Sequence, residues 1–118
     1  MKHPIYSFLP LSPAALLILL ALAGEDLHGY GIMQEVARQS EGKYKLGPGT
    51  LYDNLKKLML QGVVEESGRT DAADGDSRRR YYRLSALGRS VLSAEVDRLE
   101  GVLREARSHL RSLKPRRA

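Results

Sequence analysis

Cysteine and tryptophan are absent from this chain of 118 residues, and phenylalanine occurs once. Without cysteine there is no disulfide framework, no thiolate nucleophile and no Cys-based zinc or iron–sulfur site. That absence suits a reducing compartment, and a cytoplasmic location is expected. Histidine is scarce as well. His3, His28 and His109 lie far apart and form no HxxxH or HExxH pattern, so no metal site is read from them. No G-x-S-x-G elbow occurs, and Gly47-Pro48-Gly49 is not followed by the Lys-Ser/Thr pair of a phosphate-binding loop. The expectation is therefore no enzyme and no cofactor. Long apolar runs are missing too. The run Ala14 to Ala23 has ten apolar residues, against the roughly 20 that a spanning helix needs, so a buried helix and no membrane partner are expected. A secretory signal is the rival for this segment, with Lys2 as its charged region and Ala21-Leu22-Ala23 mimicking a cleavage site. Pro10 and Pro13 sit badly for that reading.

What is present bounds the answer from the other side. A chain that is 42% hydrophobic and 28% charged is too apolar to be wholly disordered, and its length suffices for one modest core. Nineteen Lys and Arg face fourteen Asp and Glu, a net charge of +5, which favours an anionic partner such as nucleic acid or a membrane surface.

Breakers and periodicity divide the chain. Ser12 before Pro13 reads as an N-cap with proline at the first helical position, and the helix runs to about Ala23, where Gly24 stops it. It is apolar nearly all round and should be central to the core. A second helix fits His28 or Gly29 to about Ser40, with Ile32 and Val36 inward. A third fits Pro48 to Gln61, where Leu51, Leu55, Leu58 and Met59 follow the helical stripe and Gly62 is a natural terminator. Val63 to Ser67 and Arg80 to Leu84 have strand character. With the polar Gly68–Ser77 stretch between them they predict a β-hairpin with a long loop. From the N-cap Ser85 a helix runs to about Leu113. Its Leu92, Val96, Leu99, Leu103, Ala106, Leu110 and Leu113 are spaced 4, 3, 4, 3, 4, 3, a heptad stripe. Such a helix is about 43 Å long, too long to bury its stripe against the small domain before it, and a second copy of the chain is the simplest cover.

Three short helices and a hairpin make a winged helix-turn-helix, in which the second helix of the motif enters the major groove. Here that helix is Pro48 to Gln61. Its approach, Gly42 to Thr50, carries three glycines that let backbone come close to another surface, with Lys43 and Lys45 beside them. The free N–H groups of a helix start suit phosphate. Thr50, Tyr52, Asp53, Asn54, Lys56 and Lys57 occupy the polar side, and Lys43 to Lys57 holds four bases against one acid, net +3. The wing carries Arg69 on its rising side and Arg78, Arg79 and Arg80 on its falling side. Asp71, Asp74 and Asp76 lie between them, so the strand-side arginines are the better candidates for DNA contact. The plainer alternative for each arginine is an ion pair that keeps the hairpin soluble. His28, before the second helix, reads as a cap or packing residue.

Four blocks carry a resemblance: Leu27-His28-Gly29-Tyr30-Gly31-Ile32, Leu46-Gly47-Pro48-Gly49-Thr50-Leu51-Tyr52, Leu58 followed by Gly62-Val63-Val64, and Arg79-Arg80-Tyr81-Tyr82-Arg83-Leu84-Ser85 with Gly88 beyond. In this order they resemble the PadR family of transcriptional regulators, over roughly residues 10 to 90. The resemblance implies a winged helix-turn-helix with one C-terminal dimerisation helix, as in the short subfamily, and a repressor released in several members by a small aromatic or hydrophobic effector near the dimer interface. It implies that Tyr30 contacts phosphate, that Gly49, Thr50 and Tyr52 belong to the entrance of the recognition helix, that Arg79 and Arg80 begin the second wing strand, and that Tyr81 and Tyr82 pack the wing on the core. It also makes the Ala14–Ala23 helix part of the core, against the secretory-signal reading. The chain departs from the family where some multidrug-sensing members line a drug pocket with tryptophan, because it has none.

The expectation is thus a mainly α fold with a small β-hairpin: a winged helix-turn-helix over residues 1–84 and a dimerisation helix with a basic tail over 85–118. The expected partners are double-stranded DNA and a second copy. The expected DNA-binding residues are Tyr30, Lys43, Lys45, Gly49, Thr50, Tyr52, Asn54, Lys56, Lys57, Arg69, Arg78, Arg79 and Arg80, and the heptad stripe is the expected dimer seam. The alternative is a winged-helix module that docks a different protein through its heptad helix.

Overall fold

The computed structural model of the chain describes residues 4–68 and 79–113. Helix α1 spans Pro13–Gly24, and Ser12 caps it by accepting the Ala15 N–H at 3.1 Å. Proline at the first position loses nothing there, because that N–H has no helical partner. Every residue of α1 is apolar, and Ile18 and Leu19 have no solvent exposure. Helices α2 (Gly29–Gln39) and α3 (Pro48–Leu60) pack against α1 and against each other. Their buried residues, Ile32 and Val36 on α2 and Leu51, Leu55 and Leu58 on α3, are the stripes that the 3.6-residue period picks out. Gly62, at φ +76°, turns the chain out of α3, and the Val63 N–H closes the end on the Leu58 carbonyl at 2.9 Å.

The β element is larger than a hairpin. Strands β2 (Val64–Glu66) and β3 (Tyr81–Leu84) pair antiparallel as expected, but β1 (Leu27–His28) joins β3 on its other side, giving the order β1-β3-β2. The register sets His28 opposite Tyr81 and Glu66 opposite Tyr82. A two-residue strand has no periodicity of its own to read. It forms because β3 is the middle strand and has a second row of backbone groups to satisfy.

Helix α4 (Ala86–Ser112) begins at Ser85, whose hydroxyl oxygen accepts the Gly88 N–H at 2.9 Å and whose proton is directed at the Gly62 carbonyl at 2.5 Å. One side chain therefore caps α4 and ties it to the turn after α3. Gly88 is required there, because a Cβ on it would stand 2.1 Å from the Val63 carbonyl oxygen. Only the first part of α4 is buried, at Gly88, Val91, Leu92 and Glu95. Leu92, expected in the exposed stripe, is only 8% exposed and belongs to the chain's own core. Helix α4 is still packed on the domain at that turn, so the free stripe begins one heptad step later.

Glu95 carries no signal in the heptad pattern. Its carboxylate is 1% exposed, accepts the Leu11 N–H at 2.8 Å and pairs with Arg98 at 2.5 Å. It fastens the segment before α1, including a short 3-10 turn over Pro4–Phe8 that packs on α4. Hydrogen bonding from Arg98 holds the Glu95 carboxyl below its ordinary pKa; the Leu11 N–H and the Arg98 charge add to this, against the opposing effect of burial.

Two outcomes follow. Gly88→Ala should lower the unfolding free energy by about 1–3 kcal/mol, since backbone rather than a flexible side chain must yield; urea denaturation measures this, and unchanged stability would contradict the close approach. Glu95→Gln should cost about 1–3 kcal/mol at neutral pH. A depressed folded-state pKa stabilises fully above the free-carboxylate range and is lost as pH falls through it, so the variant should lose less stability than the parent between about pH 6 and about pH 3.

Candidate nucleic-acid interface

Because Leu51, Leu55 and Leu58 fix one side of α3 in the core, the opposite side faces solvent. It presents Gly49, Thr50, Asp53, Lys56 and Lys57, with Tyr52 half exposed and Leu60 81% exposed at the far end. The N-cap of α3 is Gly47, so no side chain covers the first N–H groups, and nothing stands within 4 Å of where a Cβ would be on Gly47 or Gly49. The entrance of the helix is open to the approach of a bulky anion. The turn before it reverses at Glu41 and Gly42, at φ +55° and +76°. Leu46 is then buried and Tyr44 half buried, while Lys43 and Lys45 stay exposed beside the entrance.

Asn54 departs from this face. It is partly buried, its side-chain N–H₂ donates to the Thr50 carbonyl at 2.8 Å, and it shares a cleft with Ser7, Phe8 and Lys57. One amide N–H is thereby engaged by its own helix. Asp53 takes the outward position instead, so the exposed arc of α3 carries an acid among its lysines.

At the wing, Arg69 and Arg78 lie outside the described residues. Arg79 and Arg80 are exposed at the start of β3. Arg80 pairs with Glu66 at 3.2 Å and Arg83 with Glu65 at 2.8 Å, across the β2–β3 register. The ion-pair reading thus holds for Arg80 in the free chain, although an exposed pair of this kind contributes at most about 1 kcal/mol and exchanges readily. Tyr81 and Tyr82 are buried, as expected for residues that pack the wing on the core. Burial pushes the Tyr82 phenol above its ordinary pKa, and the neighbouring Tyr52 and Glu66 act in the same direction while Arg80 opposes.

Between the start of α2, the first turn of α3 and the foot of the wing lies a cleft of about 350 Å³, lined by His28, Gly29, Tyr30, Tyr52, Arg79, Arg80 and Tyr82. Tyr30 is 61% exposed at its rim. Gly29 leaves room for the Tyr52 hydroxyl, which would stand 2.3 Å from a Cβ at that position. His28 caps α2 through Nδ1, which accepts the Gly31 N–H at 2.9 Å, and its ring meets Tyr81 edge-on at 5.2 Å. It is both the cap and the packing residue that the sequence suggests, and it faces the cleft as well. The sequence gives no sign of this last role, because the contact depends on β1 lying beside β3.

Along α4 the stripe beyond Leu92 is uncovered in the single chain. Leu99 is half buried, and Val96, Leu103, Ala106, Leu110 and Leu113 are exposed, as is Val102 beside them. A separate groove of about 560 Å³ lies between the end of α1 and α4, floored by Leu22, Leu84, Leu92 and Val96 and rimmed by Arg83, Arg89 and Asp97. Among the described residues no group of three His, Cys, Asp or Glu is placed to hold a metal, and no helix is long and apolar enough to cross a membrane.

Comparison with known proteins gives a consistent picture. A family model described as Transcriptional regulator PadR-like family matches residues 18–94. The transcriptional regulator Rv3488 of Mycobacterium tuberculosis is 36% identical over 88 residues, spanning 75% of this chain and 77% of that protein. An uncharacterized protein of Lysinibacillus sphaericus is 32% identical over 80 residues, 68% of this chain and 72% of that one. Among solved structures, a PadR family transcription regulator from Clostridium difficile is similar with a TM-score of 0.70 at 22% identity, covering 84% of this chain and 99% of that one; at this identity the likeness is one of fold. RosR from H. salinarum is similar with a TM-score of 0.60 at 28% identity, covering 83% and 79%.

Proposed function

The chain belongs to the PadR-like family of transcriptional regulators, and on that premise we propose that it is a homodimeric repressor that binds an inverted-repeat operator through α3 and the wing. The observation that carries this reading is the open, uncapped entrance of α3 flanked by exposed lysines. Gly47 and Gly49 leave the helix start bare, Lys43 and Lys45 precede it, and Lys56 and Lys57 lie exposed about two turns further along the same helix. Such a surface suits a phosphate backbone on either side of a groove that the helix enters. Lysine–phosphate contacts supply affinity and its salt dependence, while base edges are read by Thr50 and the outward side chains near it. The repressor sense comes from the family resemblance.

The dimer is supported by the exposed apolar stripe of α4. One heptad edge with Val96, Leu103, Leu110 and Leu113 open to water is the surface that a second copy covers by symmetry. Residues 1–84 then form the reading head and 85–118 the spacer. Two heads held by paired helices call for half-sites about one helical turn apart.

The test is binding to duplex DNA from upstream of its own gene against a mixed-sequence duplex, at several salt concentrations. A steep salt slope with preference for the upstream duplex is expected; no binding at low salt would leave a protein-docking module as the better account. Replacing Lys56 and Lys57 by Ala should weaken binding to both duplexes and lower the salt slope by about 1 for each phosphate no longer neutralised. Leu103→Lys with Leu110→Lys should yield folded monomers by sedimentation, because both side chains are exposed in the single chain; a persisting dimer would rule out the seam.

A further inference from the structure

Asp53 stands at the centre of the outward face of α3. Successive residues of an α-helix are turned by about 100°. Viewed down the axis, the buried Leu51, Leu55 and Leu58 share one side, and the direction opposite them falls within about 15° of Asp53. Lys56 and Lys57, one turn further on, diverge by about 50° to either side of that direction. Gly49 lies near it one turn earlier, with nothing within 4 Å of where its Cβ would be. Asp53 and both lysines are exposed. Among the described residues no cation is paired with Asp53.

A helix laid in the major groove turns this face to the base edges. The diverging lysines then point to the walls, where the phosphates are, and Asp53 points to the floor. A carboxylate is repelled by phosphate and by most of what the floor offers. Guanine shows two acceptors, N7 and O6, and thymine shows the O4 acceptor and a methyl group. Only cytosine N4 and adenine N6 donate there. On adenine the donor stands beside the N7 acceptor, which repels the second carboxylate oxygen; cytosine has no acceptor beside its amino group on that edge. We propose that Asp53 is a specificity-determining residue that accepts the N4 amino group of a cytosine in each half-site of the operator. The lysines beside it supply affinity without regard to sequence, and the acid between them makes that affinity conditional. Where no amino group meets it, it is a desolvated charge without a partner. This rests on the DNA-binding reading above and adds to it the base that one side chain selects.

Enrichment of bound duplexes from a pool of random sequence, followed by affinity measurement on duplexes that differ at one base pair, tests this. The parent should enrich cytosine at one position of each half-site, and replacing that C·G pair by T·A should weaken binding about tenfold. Asp53→Ala should lose the preference at this position alone, keep the parent's discrimination at the others, and bind mixed-sequence duplex at least as tightly as the parent. Asp53→Asn has nearly the same shape without the charge. It should move the preference to adenine, since an amide matches adenine N6 and N7 together. Both variants should keep the parent's circular dichroism and melting temperature, because the side chain is exposed. An Asp53→Ala base profile identical to the parent's would overturn the assignment and leave the general reading intact. Tighter binding by one factor to every duplex, with the profile unchanged, would overturn it too, because such a charge repels phosphate and reads nothing. A parent preference for adenine at the position that Asp53→Ala relaxes would replace cytosine and refute the proposal as stated. A parent that binds no duplex at low salt would remove both this inference and the reading it rests on.

Discussion

Ile18 and Leu19 touch no water because α2, α3, β3 and α4 all pack on α1. A helix that is apolar on every side draws other elements over it, leaving only Leu16, Leu17 and Leu20 partly buried within α1's core stretch, and each element that covers it has its own orientation fixed by the encounter. Helix α3 gives Leu51, Leu55 and Leu58 to this contact and is left with its glycine-rich start and lysines outside. Strand β3 gives Leu84 and half of its tyrosine pair, which sets the wing at the side of α3. The functional face is what remains after α1 has been covered. Its precision is inherited from a core of ordinary leucines, isoleucines and valines rather than from contacts within the face.

The charges obey a different logic. The net charge of +5 is modest, and several of the arginines are already paired with carboxylates. Glu65 and Glu66 hold Arg83 and Arg80 on the sheet, and Glu95 holds Arg98 on α4. The exposed pairs on the sheet stabilise little and can exchange a carboxylate for a phosphate at small cost. The Glu95 pair cannot, because its carboxylate is buried and also accepts a backbone N–H. The same residue chemistry thus serves as a replaceable counterion at the wing and as a fixed clasp on α4. What separates the two is burial.

Much of this was legible in the chain itself. The Ser12-Pro13 start, the Gly62 stop and the Ser85 cap are local signals, and each lies where its chemistry says. The leucine spacings of α3 and α4 report faces, and the face of α3 could be read correctly from them. Long-range consequences were not legible. β1 is two residues long and exists only because β3 offers it an edge. Glu95 looks like any other acid on the polar side of a heptad until the segment before α1 crosses it. Leu92 fits the exposed stripe by number, but the domain covers that turn. Asn54 sits on the polar side of α3 by wheel, yet its side chain bonds the Thr50 carbonyl and it shares a cleft with the Pro4–Phe8 turn. In each case the pattern gives an angle around a helix, and another element decides what occupies that angle.

Helix α4 shows why the division matters. Over its first three turns it is a domain helix, with glycine against the backbone of Val63, valine and leucine in the core, and a carboxylate buried under a backbone N–H. Beyond Leu99 it has no cover, and its apolar side chains lie in water. The clasp at Glu95 stands between these two regimes, so the direction in which the free part leaves the domain is set by a buried, multiply bonded group rather than by a flexible joint. A stripe that leaves in a fixed direction can fix the distance between two reading heads when paired with its copy; one that pivoted could pair equally well and fix nothing. Rigidity at that turn is therefore as necessary to the proposed spacing of half-sites as the leucines beyond it. It follows that weakening the clasp should loosen spacing selectivity before it affects pairing.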